Sequence, residues 1–253
     1  MINKLALIFL IPCGAACAQV LDAAMMPDGS RDMYVGAALG VGPRDGQSGR
    51  RETRLGPLLQ VQWSNGLFLS GFGTLGLHLA RASAVEYGPM LSWQAGRSPS
   101  DAGQVAGSEK IRPGLNAGGF FNYYAGDRLR LTTSALYLPQ AHGLLVNAGL
   151  QKTLPEIAPH HTLTLSLGVT GADGAVARQR YGVAQATAAA PRYVPAGGLL
   201  SAQAGVNWNW SLSSRWIVSS GASATLLAPA AADSPLVDQR AFISYAAGLA
   251  YRF

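Results

Sequence analysis

Catalysis needs histidines, carboxylates or nucleophiles held close together, and this chain is poor in all of them. It has 4 histidines and 13 acidic residues in 253. His160-His161 follows Pro159, which suits a turn or an interfacial pair better than a metal site. His78 and His142 each stand alone in the sequence. No His-Glu-x-x-His, Cys-x-x-Cys or aspartate-rich calcium loop occurs, so no bound metal is expected. Gly-x-Ser-x-Gly, the turn that presents a nucleophilic serine, is missing as well. The few carboxylates fall mostly in loops and leave little for paired acid–base work. The expectation is a protein that is not an enzyme and needs no cofactor.

The side chains left to consider are cations and loop motifs. The 19 basic residues are mostly arginine and scattered singly. A nucleic-acid binder would show a basic stripe interleaved with aromatics, so no nucleic-acid partner is expected. The net charge of +6 suits lipopolysaccharide, peptidoglycan or a polar lumen. Strand alternation puts Arg54, Arg128, Arg130, Arg215, Arg240 and Arg252 on polar faces. There they would either bias a lumen towards anions or pair with carboxylates and plug it. Asp233-Ser234-Pro235 is the sharpest loop motif. It could present a carboxylate to a partner; the simpler reading has Asp233 capping a turn while Pro235 stiffens the loop. Tyr181-Gly182-Val183 reads as a strand-end aromatic followed by a glycine bend.

Composition says which elements must carry these groups. Apolar residues make up 49% and charged residues 13%, against roughly a quarter charged in soluble domains. Beyond the first twelve residues nothing approaches the roughly 18–20 apolar residues of a membrane helix. Low charge without a spanning helix points to membrane strands. The N-terminus reads as a secretory signal: Lys4, the apolar Leu5–Ile11, then Ala16-Cys17-Ala18 as a cleavage site. Residues 1–18 are expected to be removed, leaving 19–253 as one barrel domain. Lipid attachment is disfavoured at Cys13 by the preceding proline and at Cys17 by a glycine, Gly14, where leucine is favoured. Cleavage removes both cysteines, and thiol chemistry with them.

Alternation with period two runs through the remainder. Ala241, Ile243, Tyr245, Ala247, Leu249, Tyr251 and Phe253 share one face, and Arg240, Phe242, Ser244, Ala246, Gly248, Ala250 and Arg252 the other. Aromatics at both ends of an apolar face are what the two interfacial girdles of a barrel require. Leu200–Leu212 repeats the pattern, with Leu200, Ala202, Ala204, Val206, Trp208 and Trp210 opposite Gln203, Asn207 and Asn209. Such amides suit a wet lumen better than a dry core. Ser64-Asn65-Gly66 and Ala125-Gly126-Asp127 mark hairpins. Eleven segments emerge, an awkward number for a chain whose termini share one side. Leu67–Arg81, interrupted by three glycines, is long enough to hide two strands. The fold expected is all-β: a single transmembrane antiparallel β-barrel of 12 strands, with 10 as the alternative. Gly42–Arg51, Arg97–Ile111, Gly171–Ala196 and Pro229–Gln239 are read as its long loops.

The last seventy or so residues resemble the MltA-interacting protein (MipA/OmpV) family of outer-membrane proteins. The matching pieces are Tyr181-Gly182-Val183, Pro191-Arg192-Tyr193, Ala196-Gly197-Gly198-Leu199, Ser214-Arg215-Trp216, Ala232-Asp233-Ser234-Pro235-Leu236-Val237 and the closing Tyr251-Arg252-Phe253. Weaker likeness extends upstream through Gly88-Pro89, Gly96-Arg97, Phe120–Tyr124 and Ala141–Gly143. Two departures fall in loops: a single glycine follows His142, and Ala228–Ala232 stands where the family tends to have Gly-Asp. The resemblance implies residence in a Gram-negative outer membrane, in contact with its lipid and lipopolysaccharide. It also implies a non-enzymatic scaffold joining a lytic transglycosylase to a peptidoglycan synthase; some relatives act as solute channels or adhesins. Tyr251 and Phe253 resemble the signal read by the barrel-insertion machinery. Counting back from a periplasmic Phe253 puts Ser211–Ser214 and Leu154–His160 in the periplasm, and Tyr181, Tyr193 and Asp233 at the cell surface.

Overall fold

The computed structural model describes residues 33–43, 51–71, 73–82, 84–97, 110–126, 128–155, 157–186 and 190–253. The expected signal peptide and its cleavage site lie outside them. Strands are β1 (Tyr34–Pro43), β2 (Arg51–Gln62), β3 (Leu67–Ser70), β4 (Thr74–Leu77), β5 (Ala80–Ala82), β6 (Val85–Gln94) and β7 (Gly114–Tyr124). They continue as β8 (Leu129–Leu138), β9 (Gly143–Thr153), β10 (His161–Ala172), β11 (Gly198–Ser211), β12 (Trp216–Leu227) and β13 (Ala241–Arg252). Two short helices interrupt the series, α1 (Gly174–Tyr181) and α2 (Pro229–Ala232).

Every pairing is antiparallel between neighbours, and β13 returns to β1 from Tyr34↔Arg252 to Val41↔Tyr245. β4 pairs with β6, so the sheet closes into a barrel of twelve strands, with β5 prolonging β4 along the same edge of β6. The segment Leu67–Arg81 does hold two strands, which resolves the odd count. Its second strand is broken because register slips by one residue between Gly76↔Met90 and Ala80↔Tyr87, a bulge at His78–Leu79. Pro89 sits opposite that bulge and has no N–H for a regular ladder there.

The outward face is apolar as the alternation predicts: Leu39, Leu131, Leu167, Ile243 and Leu249 are exposed. Trp63, Tyr123, Trp216 and Phe253 are exposed at the rim where β1 begins and β13 ends, and Trp93, Tyr137 and Tyr245 towards the opposite rim. These are the two girdles. Inward, β9 to β12 present Gln151, Thr164, Asn207, Asn209, Ser219 and Ser223, all buried. Cross-strand bonds satisfy such groups: Asn147 donates to Ser134 at 3.2 Å and accepts from Thr170 at 3.0 Å. Tyr124 donates to Glu86 at 2.7 Å. Leu200 departs from its expected face. A register shift opposite Thr170/Gly171 turns it inward, where it is 1% exposed. Two predicted loops also prove to be partly helical, since Gly171–Ala196 contains α1 and Pro229–Gln239 contains α2.

Closure depends on small residues where β13 meets β1. A Cβ on Gly36 would collide with the Leu249 carbonyl oxygen and Ala250. Gly36→Val is therefore expected to prevent barrel closure, read as loss of the heat-modifiable gel band in membrane extracts. Ala37→Val, on the exposed lipid face, should leave that band unchanged.

Candidate functional site

The loop-motif residues singled out by sequence converge on the rim opposite the start of β1 and the end of β13, where they build a folded cap. α1 starts at Asp173, whose Oδ1 accepts the backbone N–H of Ala175 (3.0 Å) and of Val176 (2.9 Å). Its Oδ2 accepts from Leu144 N–H of β9 at 2.7 Å, so one carboxylate both caps the helix and ties it to the barrel wall. The Val176 amide is the main influence holding this carboxyl below its ordinary value, with Leu144, Ala175 and the Arg178 charge adding to it against burial. The eight residues of α1 carry no apolar stripe, which is why periodicity missed the helix. The acid before Gly-Ala-Val-Ala was the signal available.

The helix end is held from across the chain. Arg97, 4% exposed, donates to the carbonyls of Arg180 (2.9 Å) and Gln179 (3.2 Å). A guanidinium on terminal carbonyls satisfies acceptors the helix cannot and matches its negative end. Arg97 is itself fixed by a two-bond bridge to Ile111. Sequence reasoning placed it at a loop boundary and gave it no role, because nothing local shows a partner more than eighty residues away.

Around this latch the family-like motifs meet. Tyr181 is the buried last residue of α1, not a strand-end aromatic. Gly182 follows as its C-cap, donating to the Arg178 carbonyl at 2.7 Å. Val183 bridges Tyr193 by two backbone bonds. The Tyr193 hydroxyl donates to Ala230 O of α2 at 3.0 Å. Burial, then the nearby Asp233 charge, pushes that hydroxyl's pKa up. Gly197 lets the chain pass over the start of α1, since a Cβ there would come within 2.6 Å of Gly174 N. Gly198, at φ 126°, then opens β11. In Asp233-Ser234-Pro235 the side chain that caps a turn is that of Ser234, while Asp233 closes α2 through its backbone N–H. The Ser234 hydroxyl donates to Tyr181 O at 2.6 Å and accepts from Leu236 N–H at 3.1 Å. Asp233 instead accepts from exposed Arg240 at 2.9 Å, and Pro235 is half-buried beside it.

Beneath these polar latches, Val176, Ala177 and Tyr181 of α1 and Ala231 and Ala232 of α2 form one apolar cluster with inward side chains of the barrel. Those include Leu136, Leu138, Leu145, Leu227 and Phe242. The cap thus sits in the mouth, on the inner faces of β8, β9 and β11 to β13.

The six arginines divide. Arg54, Arg130 and Arg252 are half-buried on inward strand positions; Arg54 is ion-paired with Glu52 and Arg130 lies over the Tyr124 ring at 5.5 Å. Arg128, Arg215 and Arg240 are exposed in connections between strands, because alternation was extended past the true strand ends. His161 stacks on Trp208 and Trp210 and accepts the Trp208 indole N–H at 3.0 Å, an interfacial aromatic group. Among the described residues no three His, Cys, Asp or Glu side chains come together as a metal site would require.

Asp173→Ala should loosen the cap without opening the barrel, costing about 1 kcal/mol of helix stability. Faster hydrogen exchange of the α1 amides with an unchanged heat-modifiable band is the expected result. The carboxyl's pKa is depressed in the folded cap, so its contribution is complete above its ordinary value of 3.8 and disappears as pH falls through the depressed one. Protection of α1 should hold from neutrality down to that ordinary value and decline only in stronger acid.

Comparison with known proteins agrees with this architecture. A solved NanC porin matches with TM-score 0.50 and 8% identity over 87% of this chain and 100% of that one. A KdgM porin matches at TM-score 0.48 and 11% identity over 87% and 99%. An outer membrane channel from Pseudomonas putida F1 gives TM-score 0.47 and 10% identity over 92% and 98%. At 8% identity the likeness to the NanC porin is one of fold. No curated protein matches the sequence. The family model for MltA-interacting protein MipA matches residues 35–253, all thirteen strands except the first residue of β1. This outer-membrane β-barrel therefore belongs to the MltA-interacting protein MipA family.

Proposed function

We propose that the barrel is a non-enzymatic scaffold for murein-remodelling enzymes, with its terminal rim in the periplasm and its capped rim at the cell surface. The observation that carries this reading is the cap. An apolar cluster anchored by Asp173, Arg97 and Ser234 fills the mouth on the side of β8 to β13. An open diffusion channel gains nothing from a folded cap held in its mouth. The family description, which names an MltA-interacting protein, supports a lytic transglycosylase as partner and, through it, a peptidoglycan synthase.

A periplasmic enzyme can reach only the terminal rim, because the outer wall lies in hydrocarbon where polar recognition is costly. Of the connections on that rim, Leu154–His160 is the longest between strands, and it exposes Ile157 between Pro155 and Pro159. The cap motif residues Tyr181, Tyr193 and Asp233 lie at the other end. Replacing Leu154–His160 with a short Gly-Ser turn should weaken co-purification of a lytic transglycosylase from envelope extracts, while Asp233→Ala should not. The same protein in a planar bilayer should conduct poorly. Large stepwise currents from the unaltered barrel would instead favour the channel reading.

Assembly supplies a second test. Phe253 follows the closing strand, its N–H bonded to Met33 O at 3.1 Å and its ring exposed, two residues after Tyr251, which packs edge-on against Trp216. We read Tyr251 and Phe253 as the signal taken by the barrel-insertion machinery. Deleting Phe253 should lower outer-membrane yield. An unchanged yield would restrict that residue to a structural role.

A further inference from the structure

The lipid-facing wall is not free of charge. Among the described residues its outward strand positions hold Lys152 of β9 at the terminal rim, Arg51 of β2 at the capped rim, and no carboxylate. A lone lysine at an interface is ordinary, since its stem lies on apolar surface while the ammonium reaches water. Arg51 behaves differently. Register puts Pro43 of β1 beside it and pairs Val41 of β1 with Tyr245 of β13. Its guanidinium lies over the Tyr245 ring, 5.7 Å from the centroid. Two strand spacings are roughly 10 Å, so the side chain runs sideways along the wall instead of turning up into water. Val41, on the strand it crosses, is half-buried, whereas Val35 and Leu39 of the same face are exposed.

A cation on an aromatic face uses the flat of the guanidinium and leaves its N–H edge for an acceptor. Among the described residues nothing accepts from that edge. Glu52 faces inward and pairs with Arg54, and Asp233 pairs with Arg240. Arg51 is thus an exposed cation held in place at head-group height, with its donors directed at something outside the chain.

A hollow of about 260 Å³ adjoins it, lined by Pro43, Arg51, Gln239, Ala241, Phe242 and Ile243. Gln239 is exposed and is the second polar group of the lining; Asp238, next to it in sequence, has a partner of its own. Towards the membrane the same strands expose Leu39, Leu55 and Ile243. A guanidinium edge beside an amide suits a phosphate, which it can grip with two parallel bonds. Apolar wall directly below suits acyl chains carried by the same molecule.

We infer that this hollow docks a lipopolysaccharide molecule of the outer leaflet. Arg51 and Gln239 bond a phosphate of its acylated glucosamine head, and its chains descend over Ile243, Leu39 and Leu55. The inference rests on the reading that puts the capped rim at the cell surface, because phospholipid fills the other leaflet.

The test uses the complete barrel in detergent micelles, titrated with defined lipids and followed by native mass spectrometry. The lipids are lipid A with its phosphates, the same lipid A after phosphatase treatment, and phosphatidylglycerol. The unaltered barrel is expected to bind phosphorylated lipid A. Arg51→Gln should weaken that binding about tenfold, equivalent to 1.4 kcal/mol, Arg51→Lys should weaken it less, and Lys152→Gln should leave it unchanged. If Arg51→Gln loses its heat-modifiable band, Gln239→Leu on the other side of the hollow supplies the same reading. An affinity indifferent to Arg51→Gln, or equal binding of the phosphate-free lipid, would overturn the site. Phosphatidylglycerol bound as tightly, with the same dependence on Arg51, would remove lipopolysaccharide as its ligand. Orientation is checked separately by treating intact cells that carry Arg192→Cys, on the exposed cap, with a membrane-impermeant maleimide. Labelling is expected; protection would put the site in the phospholipid leaflet and sink the inference whatever the micelles show.

Discussion

Hydrocarbon offers peptide groups no hydrogen-bond partner, and that one fact organises this molecule. Each strand must be flanked on both sides, so the sheet has to return upon itself, and the return is made where β13 meets β1. The strictest packing lies there. Tyr34, Ala38, Leu58, Ala246 and Ala250 form a tight inward cluster, and only glycine fits at position 36. Prolines fall where the ladder can spare a donor: Pro89 beside the bulge, and Pro57 on a stretch of β2 that pairs on one side with β1 and on the other with no described residue. The places where the rule is relaxed are thus local and identifiable from side-chain chemistry.

The cap depends on the barrel in turn. Helices as short as α1 and α2 do not persist alone in water, because nucleation costs more than one or two turns return. Here the inner faces of β8, β9 and β11 to β13 supply the apolar surface, and polar groups fix the geometry. Asp173 secures the start of α1, Arg97 its end, and Ser234 joins the end of α1 to the chain after α2. Each latch comes from a different stretch of chain. Loss of one leaves buried carbonyls or amides without partners, which is costlier than loss of a surface contact. Conservative-looking loop residues such as Tyr181 and Ser234 therefore have structural work that their exposure in a linear reading conceals.

The lumen shows a second asymmetry. Amides and hydroxyls concentrate on β9 to β12, whereas small and aromatic groups such as Tyr34, Gly36, Ala38, Phe68 and Gly76 occupy much of the inner face of β1, β3 and β4. Both faces were visible as alternating patterns, but a pattern along one strand says nothing about which strands become neighbours around a ring.

Legibility followed the range of the interaction. Period-two alternation is set by the pleat of each strand, so twelve strands, their lipid faces and the hairpins at Gly66 and Gly126 were readable from the chain. The even count was recoverable because Leu67–Arg81 is too long and too glycine-rich for one strand. What escaped has a common cause. Leu200 turns inward because its partner strand slips register at Gly171. Arg128, Arg215 and Arg240 lie just past strand ends that alternation cannot locate. The helices lack a stripe because barrel and cap bury them together, and Arg97 finds its carbonyls only once two distant loops share a rim. Sequence alone determined the barrel, its faces and the family. Only the tertiary structure decided that its loop motifs are the parts of one cap, since those contacts join residues that no local pattern links.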